Sequence, residues 1–216
     1  MERALGGQSR PLCLVAATKM NDAAAVQEAI AAGVDACGEN RVQELLEKDA
    51  QNAYAGAPKH FIGHLQRNKV SKVVGRVALI QSVDSPELLE LINRAAEKQG
   101  IVQDILIEVG IAHEVQKSGV APEELSALLD CAARYASLRV RGLMCIPPLL
   151  APGENNRRYF AQMYQLFVDI SNKKCHNISM DFLSMGMTDD YPDAIAEGAN
   201  MIRVGTGIFG ARHYGA

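Results

Sequence analysis

The chain has 216 residues, 48% of them hydrophobic, with 22 Lys and Arg against 25 Asp and Glu for a formal net charge of −3. That length suits one domain with a core of useful size, and the slight negative charge argues against a nucleic-acid or anionic-membrane surface as its main business. Five scattered cysteines without a CxxC pair read as reduced cytosolic thiols; with no signal peptide and no bilayer-length apolar run, the expected location is the cytoplasm. Residues 1–11 are expected to form a short N-terminal extension, and 12–216 one domain. The segment 12–19, LCLVAATK, reads as a buried strand that ends in a lysine. Strand alternation puts Cys13, Val15, Ala17 and Lys19 on one face and Leu14, Ala16 and Thr18 on the other. A helix follows, with Asn21 or Asp22 as its cap and Gly33 as its stop. The pattern then repeats. Strands are expected near 35–38, 58–62, 77–83, 101–109, 138–146, 180–184 and 201–205. Helices fall between them: one carrying Val42, Leu45 and Leu46, a basic one over 67–76, and one opened by Asp84-Ser85-Pro86-Glu87. Others cover 122–135, 155–173 and 189–197. Strand and helix alternate about eight times with short links, which predicts a single-domain α/β (β/α)8 TIM barrel. The absence of a GxGxxG after the first strand weighs against an open doubly wound sheet.

In such a barrel chemistry gathers at the carboxyl ends of the strands. Those ends are Lys19, Asn40, His64, Asp84, Met144, Ser184 and the run 203–207, RVGTG. Ser184-Met-Gly-Met and Gly205-Thr206-Gly207 end the last two strands, where glycine amides and hydroxyls suit a phosphate, although tight turns alone explain the same glycines. Arg203 lies on the face of Met201 and Gly205, and an arginine inside a barrel needs a partner. Met144 shares a face with Val140 and Gly142 and is placed to touch a flat ring. His60 and His64 have a spacing seen in metal sites, but strand and turn residues surround them, so no metal is expected. The basic run Arg67, Lys69, Lys72 and Arg76 reads as a solvated helix face, with attraction of a phosphate or RNA as the alternative; the lack of interleaved aromatics weighs against nucleic acid. A lysine, an arginine and a phosphate cradle at one mouth suit pyridoxal 5′-phosphate, whose aldehyde condenses with an amine.

The stretches LVAATK, GENRVQE, HFIGHLQRNK, SVDS, KSG, RGLMCIPP, LSMGMTDDYPDAI and MIRVGTGIFGARHY occur in that order from about residue 14 to 214. In these the chain resembles the pyridoxal-phosphate homeostasis proteins, members of the fold type III group that includes alanine racemases. The resemblance implies a PLP-binding barrel with the cofactor held as a Schiff base by Lys19. It places Asn40 near the ring hydroxyl, Arg203 at the ring nitrogen, and Ser184, Gly205 and Thr206 at the phosphate. Two departures stand out. About ten residues precede the first strand where the family begins with a helix. Thr18 and Met20-Asn21 stand where the family has a serine and a second basic residue.

The resemblance implies a vitamin B6 homeostasis protein that holds PLP without robust amino-acid turnover, with PLP-requiring apoenzymes as recipients and a monomer as the default state. The alternative is a PLP-dependent racemase or decarboxylase of the same fold group. An arginine at the ring nitrogen disfavours its protonation and so weakens the ring as an electron sink, which favours the holder. Racemases of this group also draw catalytic groups from a β-rich second domain, and none follows the barrel in this sequence; of the tyrosines, only Tyr214 is retained as a substitute. A cofactor-free lysine aldolase is a third reading, disfavoured by the family match.

Overall fold

The structure, a computed structural model, describes residues 11–112, 118–148, 154–172 and 175–210. Residues 1–10 of the expected extension, Lys117, the loop 149–153 and Tyr214 lie outside the described residues. Strands β1 (Cys13–Ala17), β2 (Ala36–Glu39), β3 (Lys59–Phe61), β4 (Leu79–Val83), β5 (Gln103–Glu108), β6 (Leu138–Met144), β7 (Ile178–Ser184) and β8 (Met201–Val204) close in sequence order into a parallel barrel. Closure is made by β1, which pairs with both β2 and β8. Outside the strands lie α1 (Ala23–Ala31), α2 (Val42–Ala50), α3 (Val70–Val73), α4 (Pro86–Gln99), α5 (Leu125–Ala132), α6 (Arg157–Ser171), α7 (Tyr191–Ala196) and α8 (Thr206–Phe209). The chain is therefore a (β/α)8 barrel.

Local chemistry accounts for the helix starts. The Asp22 side chain accepts from the Ala25 N–H at 2.9 Å and caps α1 as expected. Pro86 opens α4, but Ser85 at its N-cap makes no side-chain cap bond, so proline preorganisation carries that start. The basic stretch 67–76 is shorter than its predicted helix. A 3-10 turn, Arg67–Lys69, leads into the single turn of α3, and Val74 already has an extended ψ of 130°. Three β-branched valines within five residues weaken helix propagation there.

The core has two shells. Leu45, Phe61, Ile80, Ile92, Ile107, Leu143 and Phe160 belong to the large layer between strands and helices. Val15, Ala36, Leu79, Leu106, Met144 and Met201 form a smaller cluster inside the barrel. Val15 and Cys13 lie with this inner cluster and Leu14 with the outer one, as alternation requires. On β6 the alternation fails: Val140 packs in the outer shell, Met144 in the inner one. The register of β6 against β7 shifts between Val140 and Gly142, where Gly142 has φ +145° and a Cβ would lie 1.9 Å from the Phe182 carbonyl oxygen. Such a bulge turns every later side chain to the opposite face. Near the opposite end of the barrel, Arg139 forms a fork with Asp104 at 2.7 and 2.9 Å, and Arg141 joins Asp104 to Asp181.

Candidate functional site

Lys19 stands half-buried just beyond β1, on a backbone held from several sides. The Thr18 N–H donates to the Gly38 carbonyl at 2.9 Å, and the Thr18 carbonyl accepts from Lys48 Nζ at 2.6 Å. Beyond Lys19, the Met20 N–H donates to Glu44 Oε2 at 2.7 Å, and Asn21 Nδ2 donates to the Lys19 carbonyl at 3.0 Å. Glu39 is the centre of this support: its Oε1 accepts from the Thr18 hydroxyl at 2.6 Å, from Lys48 at 2.7 Å and from the Tyr54 hydroxyl at 3.2 Å. Burial, with the Glu39 carboxylate second, pushes the Tyr54 phenol well above its usual range, so it stays a donor. Threonine at position 18 thus has a defined job, tying the strand end to β2. Lys48 and Glu39 were missed from sequence because a lysine on a polar helix reads as solvated, whereas Lys48 is 6% exposed and Glu39 fully buried.

Across the barrel, Arg203 is buried on β8. Its Nη1 donates to Ser184 Oγ at 2.6 Å and its Nη2 to the Cys145 carbonyl at 2.8 Å. Among the described residues no carboxylate lies within ion-pair distance of it, so neutral acceptors hold its charge. Desolvation lowers its pKa, and Glu108 and Asp190 oppose the shift at longer range. The Ser184 hydroxyl in turn donates to Gln81 Oε1 at 2.7 Å, and Gln81 Nε2 lies 3.0 Å from His60 Nδ1. This chain fixes the polarity of every group: His60 accepts at Nδ1, Gln81 donates to it and accepts from Ser184, and Ser184 accepts from Arg203. Ser184 is therefore fully buried and engaged at both ends, a partner that orients Arg203. Gln81 and Glu108 were not singled out from sequence, and His60 was weighed only as a metal ligand. A glutamine between Ile80 and Val83 in a buried strand was the available signal, since a buried amide must find partners.

Glu108, at the end of β5, accepts from the Ser118 hydroxyl at 2.6 Å. Burial raises its carboxyl pKa above the ordinary range, opposed by Ser118 and by the charge of Arg203. Asn40, just past β2, is half-buried, and its Oδ1 is buried without a partner. Its backbone is crowded by Gly63, where a Cβ would lie 2.2 Å from the Asn40 carbonyl oxygen. Gly205 and Thr206 lie at the rim past β8. The Thr206 hydroxyl donates to Thr188 Oγ1 at 3.2 Å, and Thr188 Oγ1 also accepts from the Gly207 N–H at 3.2 Å, so the loops after β7 and β8 are stitched together. Met144 is fully buried in the inner cluster below this rim. His64 is exposed at the end of β3, and no group of three or more metal-ligating side chains occurs among the described residues. No helix among them is long and apolar enough to cross a membrane.

A parallel barrel with a lysine at the end of its first strand and a buried arginine on its last defines a class, the barrels of alanine-racemase type. The profile of the family described as alanine racemase, N-terminal domain, matches residues 2–213. The pyridoxal phosphate homeostasis protein of Aquifex aeolicus (strain VF5) is 40% identical over 201 residues, covering 93% of this chain and 87% of that one. PipY of Synechococcus elongatus PCC7942, solved with PLP bound, superposes with a TM-score of 0.84 at 36% identity, covering 96% of this chain and 97% of that one. An alanine racemase of Clostridium difficile 630 gives a TM-score of 0.73 at 13% identity, over 99% of this chain and 56% of that one, a likeness of fold alone. The chain belongs to the pyridoxal phosphate homeostasis protein family.

Proposed function

We propose that the protein binds pyridoxal 5′-phosphate covalently through Lys19 and serves vitamin B6 homeostasis by holding the cofactor without robust turnover of amino acids. One observation carries the reading: a strand-end lysine shares the barrel mouth with a buried arginine whose hydrogen bonds, among the described residues, go to neutral acceptors. When bound, the cofactor supplies an aldehyde that a lysine amine captures reversibly. Lys19 is the anchor, on a backbone that Lys48, Glu44 and Asn21 keep in place. The residues present suit such a ligand. Asn40 Oδ1, buried without a partner, would accept from the ring hydroxyl. Arg203 has five N–H donors and, among the described residues, two hydrogen bonds, which leaves donors for a ring nitrogen. The Arg203 guanidinium there would disfavour a second positive charge on the nitrogen and so weaken its pull on electrons. That supports storage over carbanion chemistry. Gly205 and Thr206 hold the phosphate from the rim, whereas Ser184, whose O–H is spent on Gln81, serves the ring-nitrogen end by orienting Arg203. Met144 forms part of the floor. The five cysteines are free thiols, which supports a reducing cytoplasmic setting, with PLP-requiring apoenzymes as recipients.

The test is direct. Loaded protein treated with borohydride and mapped by mass spectrometry carries the adduct on Lys19. Lys19→Ala leaves the circular dichroism spectrum intact and abolishes the adduct, and loaded wild type neither racemises nor decarboxylates amino acids at a sustained rate. An adduct on another side chain overturns the assignment of the anchor, and sustained turnover overturns the storage role.

A further inference from the structure

The basic stretch 67–76 does not behave as one solvated face. Arg67 lies 3.7 Å from Glu87, and Arg76 lies 3.6 Å from Asp49. Lys69 and Lys72 have no carboxylate within ion-pair distance among the described residues, and both line a cleft of about 440 Å³. That volume lies in the range of small-molecule sites. The cleft runs between the start of α2 and the turn before α3, with Asn40 and His64 toward the barrel mouth. Among the described residues its lining includes no aspartate or glutamate.

The two sides of the cleft differ in chemistry. One is cationic: Lys69 is half-buried and Lys72 exposed, and Arg41 stands at the rim with its side chain 74% exposed. The pairing of Arg41 with Glu44 is loose, at 3.8 Å, and with its arginine end in solvent it neutralises little. Arg41 also occupies the N-cap position of α2 and makes no side-chain cap bond. The first N–H groups of that nine-residue helix therefore lack a cap from it, at the end where a helix favours negative charge. The other side is apolar, formed by Val42 and Leu46 with Phe61 beside them. Positive charge beside an apolar wall in a cleft of this size selects a compact anion carrying a hydrophobic or planar body.

We propose that this cleft is a second ligand site, distinct from the Lys19 pocket, that takes a small phosphomonoester: phosphate toward Lys69, Lys72 and the start of α2, body along Val42 and Leu46. Of the residues assigned to the Lys19 pocket the cleft shares only Asn40, so the site stands whether or not Lys19 carries a cofactor.

The experiment is calorimetric titration of the full chain, both as purified and after loading and borohydride reduction have filled the Lys19 pocket. Pyridoxine 5′-phosphate and AMP are the phosphorylated probes, with pyridoxine and adenosine as their unphosphorylated counterparts. One phosphorylated probe at least is expected to bind one-to-one and about 10-fold or more tighter than its counterpart, in reduced and unreduced protein alike. The better probe tells a vitamin-like body from a nucleotide. Lys69→Gln with Lys72→Gln weakens binding about 10- to 100-fold, the scale of two lost charge-assisted contacts. Arg67→Gln with Arg76→Gln removes equal charge from the same segment and leaves binding within about twofold, because neither arginine is among the residues that line the cleft. Three results overturn the proposal: no saturable binding of either phosphomonoester, binding that vanishes once the Lys19 pocket is filled, or equal loss in the two double variants. If borohydride leaves nothing on Lys19, the proposed function fails, and AMP titration of the unreduced protein still decides the cleft.

Discussion

Protonating His60 destabilises the protein, and the size of the effect follows from its surroundings. The ring is 6% exposed, and burial lowers its pKa from 6.5 to about 4. A folded pKa below the unfolded one means that the unfolded chain binds the proton more readily. Stability is therefore present above pH 6.5 and lost as pH falls through the window toward 4. A separation of 6.5 − 4 = 2.5 units corresponds to about 3.4 kcal/mol in full, of which about 2 kcal/mol is lost between pH 7 and pH 5. The loss has a structural target. A proton on Nδ1 sets a donor against the Gln81 amide, and turning that amide removes the acceptor of the Ser184 hydroxyl that orients Arg203. The assay is urea unfolding at pH 7, 6 and 5 for wild type and His60→Asn, whose side-chain oxygen replaces Nδ1 as acceptor but does not titrate. Other groups contribute to both curves, so the difference is what counts: wild type loses about 2 kcal/mol more than the variant. Parallel curves, within about 0.5 kcal/mol, refute the reasoning.

Two further substitutions probe the support of the site. Lys48→Met leaves the Glu39 carboxylate buried without its cation and costs about 3–5 kcal/mol by urea unfolding, while Glu39→Leu added to it restores most of that loss; a double variant no better than the single one shows that the charge was never the problem. Gly63→Ala drives a methyl group into the Asn40 backbone and weakens cofactor retention about tenfold or more, read by absorbance on dilution; unchanged retention removes Asn40 from the site.

The barrel was legible because its signals are local. Strand one ends where the apolar run meets Lys19, α4 begins at its proline, and eight strand–helix alternations leave few other topologies. What escaped was non-local. Ser184 is 103 residues from Gln81, and Gln81 is 21 from His60, so no spacing rule joins them. Val140 does not share the face of Met144, because period two assumes an unbroken strand. The available warning was Gly142 inside β6, since glycine in a strand often marks a bulge. The basic run was read as uniform, yet its ends lie beside acids of α2 and α4 while its middle faces a cleft. Charge along a sequence says little until the opposing elements are in place.

The same non-local chain explains why a buried arginine is tolerable at the centre of this protein. An ion pair at contact distance would satisfy Arg203 and cancel its field. Ser184 and the Cys145 carbonyl instead fix its orientation and leave its charge largely in place, with Glu108 only a distant counterweight whose own carboxyl burial pushes toward the neutral form. Holding a charge this way is costly in a folded chain without ligand, because the desolvation of the guanidinium is only partly offset. A ligand that presents a lone pair to the remaining N–H groups recovers part of that cost on binding. The arrangement therefore converts stability forgone by the barrel into affinity at its mouth, and the His60–Gln81–Ser184 chain keeps that charge aimed while the mouth fills and empties.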